Sequence, residues 1–75
     1  MQYYRNLGGN SGVFAFDIGS NTIKVQFKDG SIYLYNYSAT GMSEVERLKD
    51  LALSGQGLNS YISKYIKKKY AAKIR

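Results

Sequence analysis

The sequence has no cysteine, no histidine, no proline and no tryptophan, and only five acidic residues among 75. Each absence removes a class of chemistry. Without cysteine there is no disulfide framework, no thiolate metal site and no thiol nucleophile. Without histidine there is no imidazole base, no Ser-His arrangement and no His-ligated zinc. Of the acids, Asp29 belongs to a turn, and Glu44 and Glu46 belong to a helix start. No carboxylate pair is left over for acid–base work, and a core this small offers little room for an active-site pocket. The chain therefore reads as a non-enzyme with no catalytic residue, no metal site and no cofactor. No apolar run approaches the roughly 20 residues of a membrane-spanning helix. The opening "MQYYRNLGG" lacks the basic-then-apolar pattern of a signal peptide. A cytoplasmic protein with no membrane partner is the expectation.

What is present is basic and rich in tyrosine. Eleven Lys/Arg give a formal charge of +6, and there are eight tyrosines. Six of the eleven cations fall in "KYIKKKYAAKIR" (64–75), which holds no acid. Such a charge suits an anionic partner, or serves solubility alone. The length is that of one domain, spanning 1–75 with its core over about 11–70.

Hydrophobic periodicity divides the chain. "QYYRNLGGNSG" (2–12) reads as loop. "VFAFDI" (13–18), "TIKVQFK" (22–28) and "SIYLYNY" (31–37) read as strands separated by "GSN" and "DG". A two-residue type I′ turn at Asp29-Gly30 pairs Phe27 with Ile32, Gln26 with Tyr33, Val25 with Leu34 and Lys24 with Tyr35. Residues opposite one another share a face. One face then carries Phe14, Phe16, Ile23, Val25, Phe27, Ile32 and Leu34. The other carries Val13, Ala15, Asp17, Lys24, Gln26, Lys28, Tyr33, Tyr35 and Tyr37. "SEVE" (43–46) fits a capping box, and Val45, Leu48, Leu51 and Ala52 form one helical stripe. After "SGQG" a second helix carries Leu58, Tyr61, Ile62, Tyr65, Ile66, Tyr70 and Ile74 on one stripe. The predicted fold is α+β: a three-stranded antiparallel meander followed by two helices packed on one face. The helices cover the Phe/Ile/Val/Leu face and leave the tyrosines open.

The order of strand "TIKVQF", turn "DG", "YLY", short helix and "SGQGLN…I" resembles the KTSC domain. That family is named for the C-terminal end of some lysyl-tRNA synthetases and also occurs as free-standing small bacterial proteins. The likeness covers about residues 11–66, with the family's Y-x-Y at Tyr33-Leu34-Tyr35, its small-residue segment at Gly55–Asn59 and its following Ile at Ile62. Where the family has a basic residue directly after that Ile, this chain has Ser63, with Lys64 and Tyr65 next. The resemblance implies no established activity. RNA binding is what its synthetase context suggests.

Aromatics beside cations on a sheet face are the equipment of single-stranded nucleic-acid binders, where bases stack on rings and lysines hold phosphates. The candidate nucleic-acid-binding residues are Tyr33, Tyr35, Tyr37, Lys24 and Lys28, with Lys67, Lys68 and Lys69 from the basic segment. Tyrosine also simply suits a half-exposed strand, and a charge run is commonly a solvated face. The leading expectation is a small binding module for RNA or single-stranded nucleic acid. The alternative is a protein–protein module, including a homodimer formed through the same open face or the sheet edges. "SGQG" and "GGNSG" are both read as connecting loops.

Overall fold

The "DG" hairpin closes by a different turn from the one its sequence suggests, and this rearranges the sheet. In the computed structural model, which describes residues 1–75, Gly30 N–H donates to the Phe27 carbonyl and Phe27 N–H donates to that of Ser31. Gly30 takes the positive φ of 92°, while Asp29 does not. Asp29 instead turns its carboxylate onto Ser31, accepting from the backbone N–H at 2.9 Å and the hydroxyl at 2.6 Å. The loop is thus three residues long, Lys28 to Gly30, with Gly30 supplying the left-handed position of a bulge.

One extra loop residue shifts the pairing by one. Strands β3 (Thr22–Phe27) and β4 (Ile32–Asn36) pair Gln26 with Ile32, Val25 with Tyr33, Lys24 with Leu34 and Ile23 with Tyr35. Ile23 and Val25 still face the core, so no lysine is buried. What changes is β4, where Tyr33 and Tyr35 turn inward and Ile32 and Leu34 turn outward. Strand β2 (Val13–Ile18) meets β3 with a second irregularity. Val13 pairs with Phe27 and Ala15 with Gln26, leaving Phe14 as the extra residue. This bulge brings Val13 and Phe16 to the core, each 1% exposed, and pushes Phe14 out to 45%. The expected positions of Val13 and Phe14 are therefore exchanged.

The sheet has five strands, not three. Two-residue strands β1 (Gln2–Tyr3) and β5 (Ala72–Lys73) add to its edges, giving the antiparallel order β1-β2-β3-β4-β5. The segment read as loop thus contributes a strand, and the predicted C-terminal helix stops short of its last residues. Asn36 caps a short helix α1 (Tyr37–Thr40), its side chain accepting from Ala39 N–H at 2.8 Å. Helix α2 (Met42–Ser54) follows directly, entered through Gly41 at φ 104°. Ser43 therefore lies inside the first turn, and the expected capping box does not form. Helix α3 (Leu58–Tyr61) runs on as a wider π turn over Ile62–Ile66.

The helices lie against one face of the sheet. Val45, Leu48, Ala52, Leu58, Ile62 and Ile66 meet Val13, Phe16, Ile23, Val25, Tyr35 and Tyr4 in one core. Tyr4 reaches in from the N-terminal segment and accepts a hydrogen bond from Leu58 N–H at 3.3 Å. No helix is long and apolar enough to cross a membrane.

Candidate nucleic-acid interface

The register decides the fate of the predicted tyrosines. Tyr35 is 1% exposed. Burial, with Tyr33 and Tyr70 nearby, pushes its phenol up to about 12. Tyr33 is half-buried under Tyr70, ring centroids 4.8 Å apart, and meets Phe27 edge-on at 5.7 Å. Tyr37 begins α1 and donates its hydroxyl to Glu46 at 2.7 Å, which holds its phenol above the ordinary range. Lys49 bonds the same carboxylate at 2.8 Å and, with the Tyr37 hydroxyl, keeps Glu46 below the usual carboxylate range. All three rings are therefore engaged with the protein. The open tyrosine platform expected from a two-residue turn does not form.

The predicted cations separate as well. Lys24 lies on the face opposite Tyr33 and Tyr35, paired across the strands with Leu34 and Asp17. Lys28 is exposed in the hairpin loop, beside Asp29. Lys24 adjoins neither tyrosine, whereas Lys28 lines an open depression together with Phe27 and the half-buried Tyr33.

Lys67, Lys68 and Lys69 are all exposed, and here the structure supplies an architecture that the sequence did not reveal. The π turn ends at Lys67, whose N–H donates to the Ile62 carbonyl at 2.7 Å. Lys67 itself sits at φ 53° and ψ −115°, a region that favours glycine and costs a side-chain-bearing residue about 1–2 kcal/mol. Lys69 N–H donates to Ile66, and the Lys69 carbonyl accepts from Thr40 Oγ1 at 2.6 Å. Tyr70 then lies on Tyr33, and Ala71 N–H donates to Leu34 at 2.7 Å. Three lysines are thus displayed on a turn whose backbone is pinned on both sides.

These cations form no ion pair, although Lys73 lies near enough to Asp29 to add to the Ser31 hydrogen bonds that hold its carboxyl low. The one ion pair in the molecule joins Lys49 to Glu46. Lys64, Lys67, Lys68, Lys69, Lys73 and Arg75 are exposed and make no salt bridge. Two rings accompany them. Tyr65, expected on the buried stripe, is 58% exposed and lies against Tyr61 at 4.8 Å. Lys73 stands over the Tyr33 ring at 5.8 Å. The signal for this arrangement was present in "KYIKKKYAAK", which alternates cations with Tyr65 and Tyr70. Helical periodicity pointed those rings inward.

No family model, no curated protein and no solved structure matches this chain.

Proposed function

We propose that the protein is a small non-enzymatic binding module whose ligand is RNA or another single-stranded nucleic acid. The observation that carries this reading is the pinned turn of Lys67, Lys68 and Lys69. It has unpaired cations on either side and the exposed Tyr65 ring one turn upstream. A fixed backbone presents the three lysines to phosphates without first ordering a loop, and a neighbouring exposed ring takes a base face. The backbone strain at Lys67 supports the reading, since strained positions gather at functional sites. Under this proposal Tyr65 replaces Tyr33, Tyr35 and Tyr37 as the stacking residue. The KTSC resemblance belongs to the same proposal. Its Y-x-Y would then be a structural motif, because Tyr33 and Tyr35 pack against the core.

The test is fluorescence anisotropy with labelled single-stranded RNA over a salt series. Changing Lys67, Lys68 and Lys69 together to Gln should flatten the log–log salt slope by about 2, from the roughly 0.7 counterions released per phosphate contact on single strands. Tyr65→Ala should weaken binding by about 1–3 kcal/mol. An unchanged slope in the triple variant sinks the proposal.

A second reading rests on the sheet face away from the helices. Tyr3 is 72% exposed and meets Phe14 edge-on at 5.3 Å. Ile32 and Leu34 lie half-buried on the same uncovered face. A protein partner or a second copy could cover such a patch. Association that persists at high salt, seen by size-exclusion chromatography with light scattering, favours this reading.

A further inference from the structure

The two glycine-rich stretches, far apart in sequence, come together around a cavity. Leu7 N–H donates to the Gly55 carbonyl at 2.7 Å, and the Arg5 guanidinium donates to the Leu53 carbonyl. These bonds bring the 6–12 loop against the turn that enters α3. Between them lies a cavity of about 120 Å³. Its lining is polar and carries no charged side chain. Tyr4 supplies the only ring, Gly8 and Gly57 expose backbone, and Asn6, Asn10, Ser11, Gln56, Asn59 and Ser60 complete the wall.

Most of this polar equipment is unused by the fold. Asn6 Oδ1 accepts from Ser11 N–H at 3.1 Å, Ser11 Oγ accepts from Val13 N–H at 3.1 Å, and the Tyr4 hydroxyl accepts from Leu58 N–H. The side chains of Asn10, Gln56 and Ser60, all exposed at the cavity mouth, and of half-buried Asn59 make no hydrogen bond within the chain. Asn59 is half-buried, with its amide packed beside Gly12, where an added Cβ would meet Nδ2 at 3.6 Å. Three carboxamides with spare donors and acceptors therefore line one concave surface.

The chemistry of that lining selects its ligand. With no cation it offers no opposite charge to phosphate or carboxylate, and with no acid it offers none to a metal or an amine. A carboxamide presents a donor and an acceptor in one plane, which matches a planar ring with a donor and an acceptor side by side on its edge. Asn and Gln pair with nucleobases in this way. We propose that this cavity is a nucleobase pocket, with Asn10, Gln56 and Asn59 reading the base edge. The pocket stands on its own lining. The idea that its base arrives on a strand rests on the nucleic-acid reading above. Lys64 lies one helical turn beyond Ser60, on the same side of the helical stretch, where it can take the adjoining phosphate.

The test is an NMR titration of the isotopically labelled full chain with adenosine and uridine, which carry no phosphate. Ribose and inorganic phosphate serve as controls. Saturable shifts of the Asn10, Gln56 and Asn59 side-chain amides with a nucleoside, absent with ribose and phosphate, are expected. The double variant Asn10→Ala, Gln56→Ala should weaken nucleoside binding at least tenfold at unchanged melting temperature. Neither side chain supports the fold by a hydrogen bond. No saturable shift at millimolar nucleoside, or equal shifts with ribose, overturns the proposal. RNA binding that leaves these amides unmoved overturns the pocket and spares the lysine turn. Nucleoside binding in a protein that fails to bind RNA supports the pocket and removes the strand. A dinucleotide that binds more tightly than its nucleoside, with the gain lost in Lys64→Gln, assigns the base to a strand.

Discussion

The two faces of the sheet are built from similar residues and do different work. The inner face holds Phe16, Ile23, Val25 and Tyr35, sealed under the helices at no more than 1% exposure each. The outer face holds Phe14, Ile32 and Leu34 beside Lys24 and Gln26, and no helix covers it. Hydrophobicity alone does not separate these sets. The difference comes from two local devices, the Gly30 loop and the Phe14 bulge, each of which shifts the alternation by one residue. Which side chains form a core is thus decided by turn chemistry as much as by apolar pattern.

The comparison can be tested residue against residue. The largest effect belongs to Tyr35→Ala, which should cost about 3–5 kcal/mol by analogy with buried aromatic truncations. That is a large share of the 5–15 kcal/mol typical of a whole domain, and urea denaturation will read it. The same residue sets an alkaline limit. Its phenol titrates near 12 when folded and near 10 when unfolded. The folded state therefore binds the proton more tightly between those values. The contribution of this proton to stability is complete below pH 10 and is lost as pH rises from 10 toward 12. Tyr35→Phe should blunt that loss in a pH series of thermal melts.

Gly30→Ala comes next. An added Cβ meets nothing within 4 Å, so the cost is conformational, about 1–2 kcal/mol for a left-handed position. A two-residue type I′ loop would place both Asp29 and Gly30 at positive φ. Nuclear Overhauser contacts between Val25 and Tyr33 will show that the three-residue loop persists. Smallest is Leu34→Ala on the outer face, expected below about 1 kcal/mol. If Leu34→Ala proved more damaging than Tyr35→Ala, the two faces would have to be exchanged.

The strand spans and the α2 stripe were legible in the sequence because they rest on short-range alternation and on an i, i+3, i+7 pattern. Val13–Ile18, Thr22–Phe27 and the buried set Val45, Leu48 and Ala52 follow those rules directly. The hairpin register was not legible, for an identifiable reason. In β3 only one face is apolar, so its orientation is fixed. In β4 the run Ile32-Tyr33-Leu34-Tyr35 is apolar enough on either side, and turning it over buries no charge. Asp-Gly serves two-residue and three-residue loops alike, so the tie was broken by the Ser31–Asp29 hydrogen bonds. Strands β1 and β5 were hidden because two residues show no periodicity and their pairing is long-range. Of the candidate site, the lysine run was visible as composition. Its fixed shape was not, because it depends on Thr40, 29 residues away in sequence from Lys69.

That shape is secured on one side by very little. Strand β5 has two residues, and its hold on β4 comes down to a few amides, chiefly Ala71 to Leu34 and Ile74 to Ile32. Short edge strands open at low free energy, well below global unfolding. The amides of Ala71 and Ile74 should therefore exchange with solvent deuterium long before those of Ile23 or Val25. Each such opening lifts Tyr70 and Lys73 from the Tyr33 ring and loosens the downstream side of the lysine turn. The lysine turn is thus held from Ile62, Ile66 and Thr40 whether or not β5 is closed, and only its downstream flank breathes.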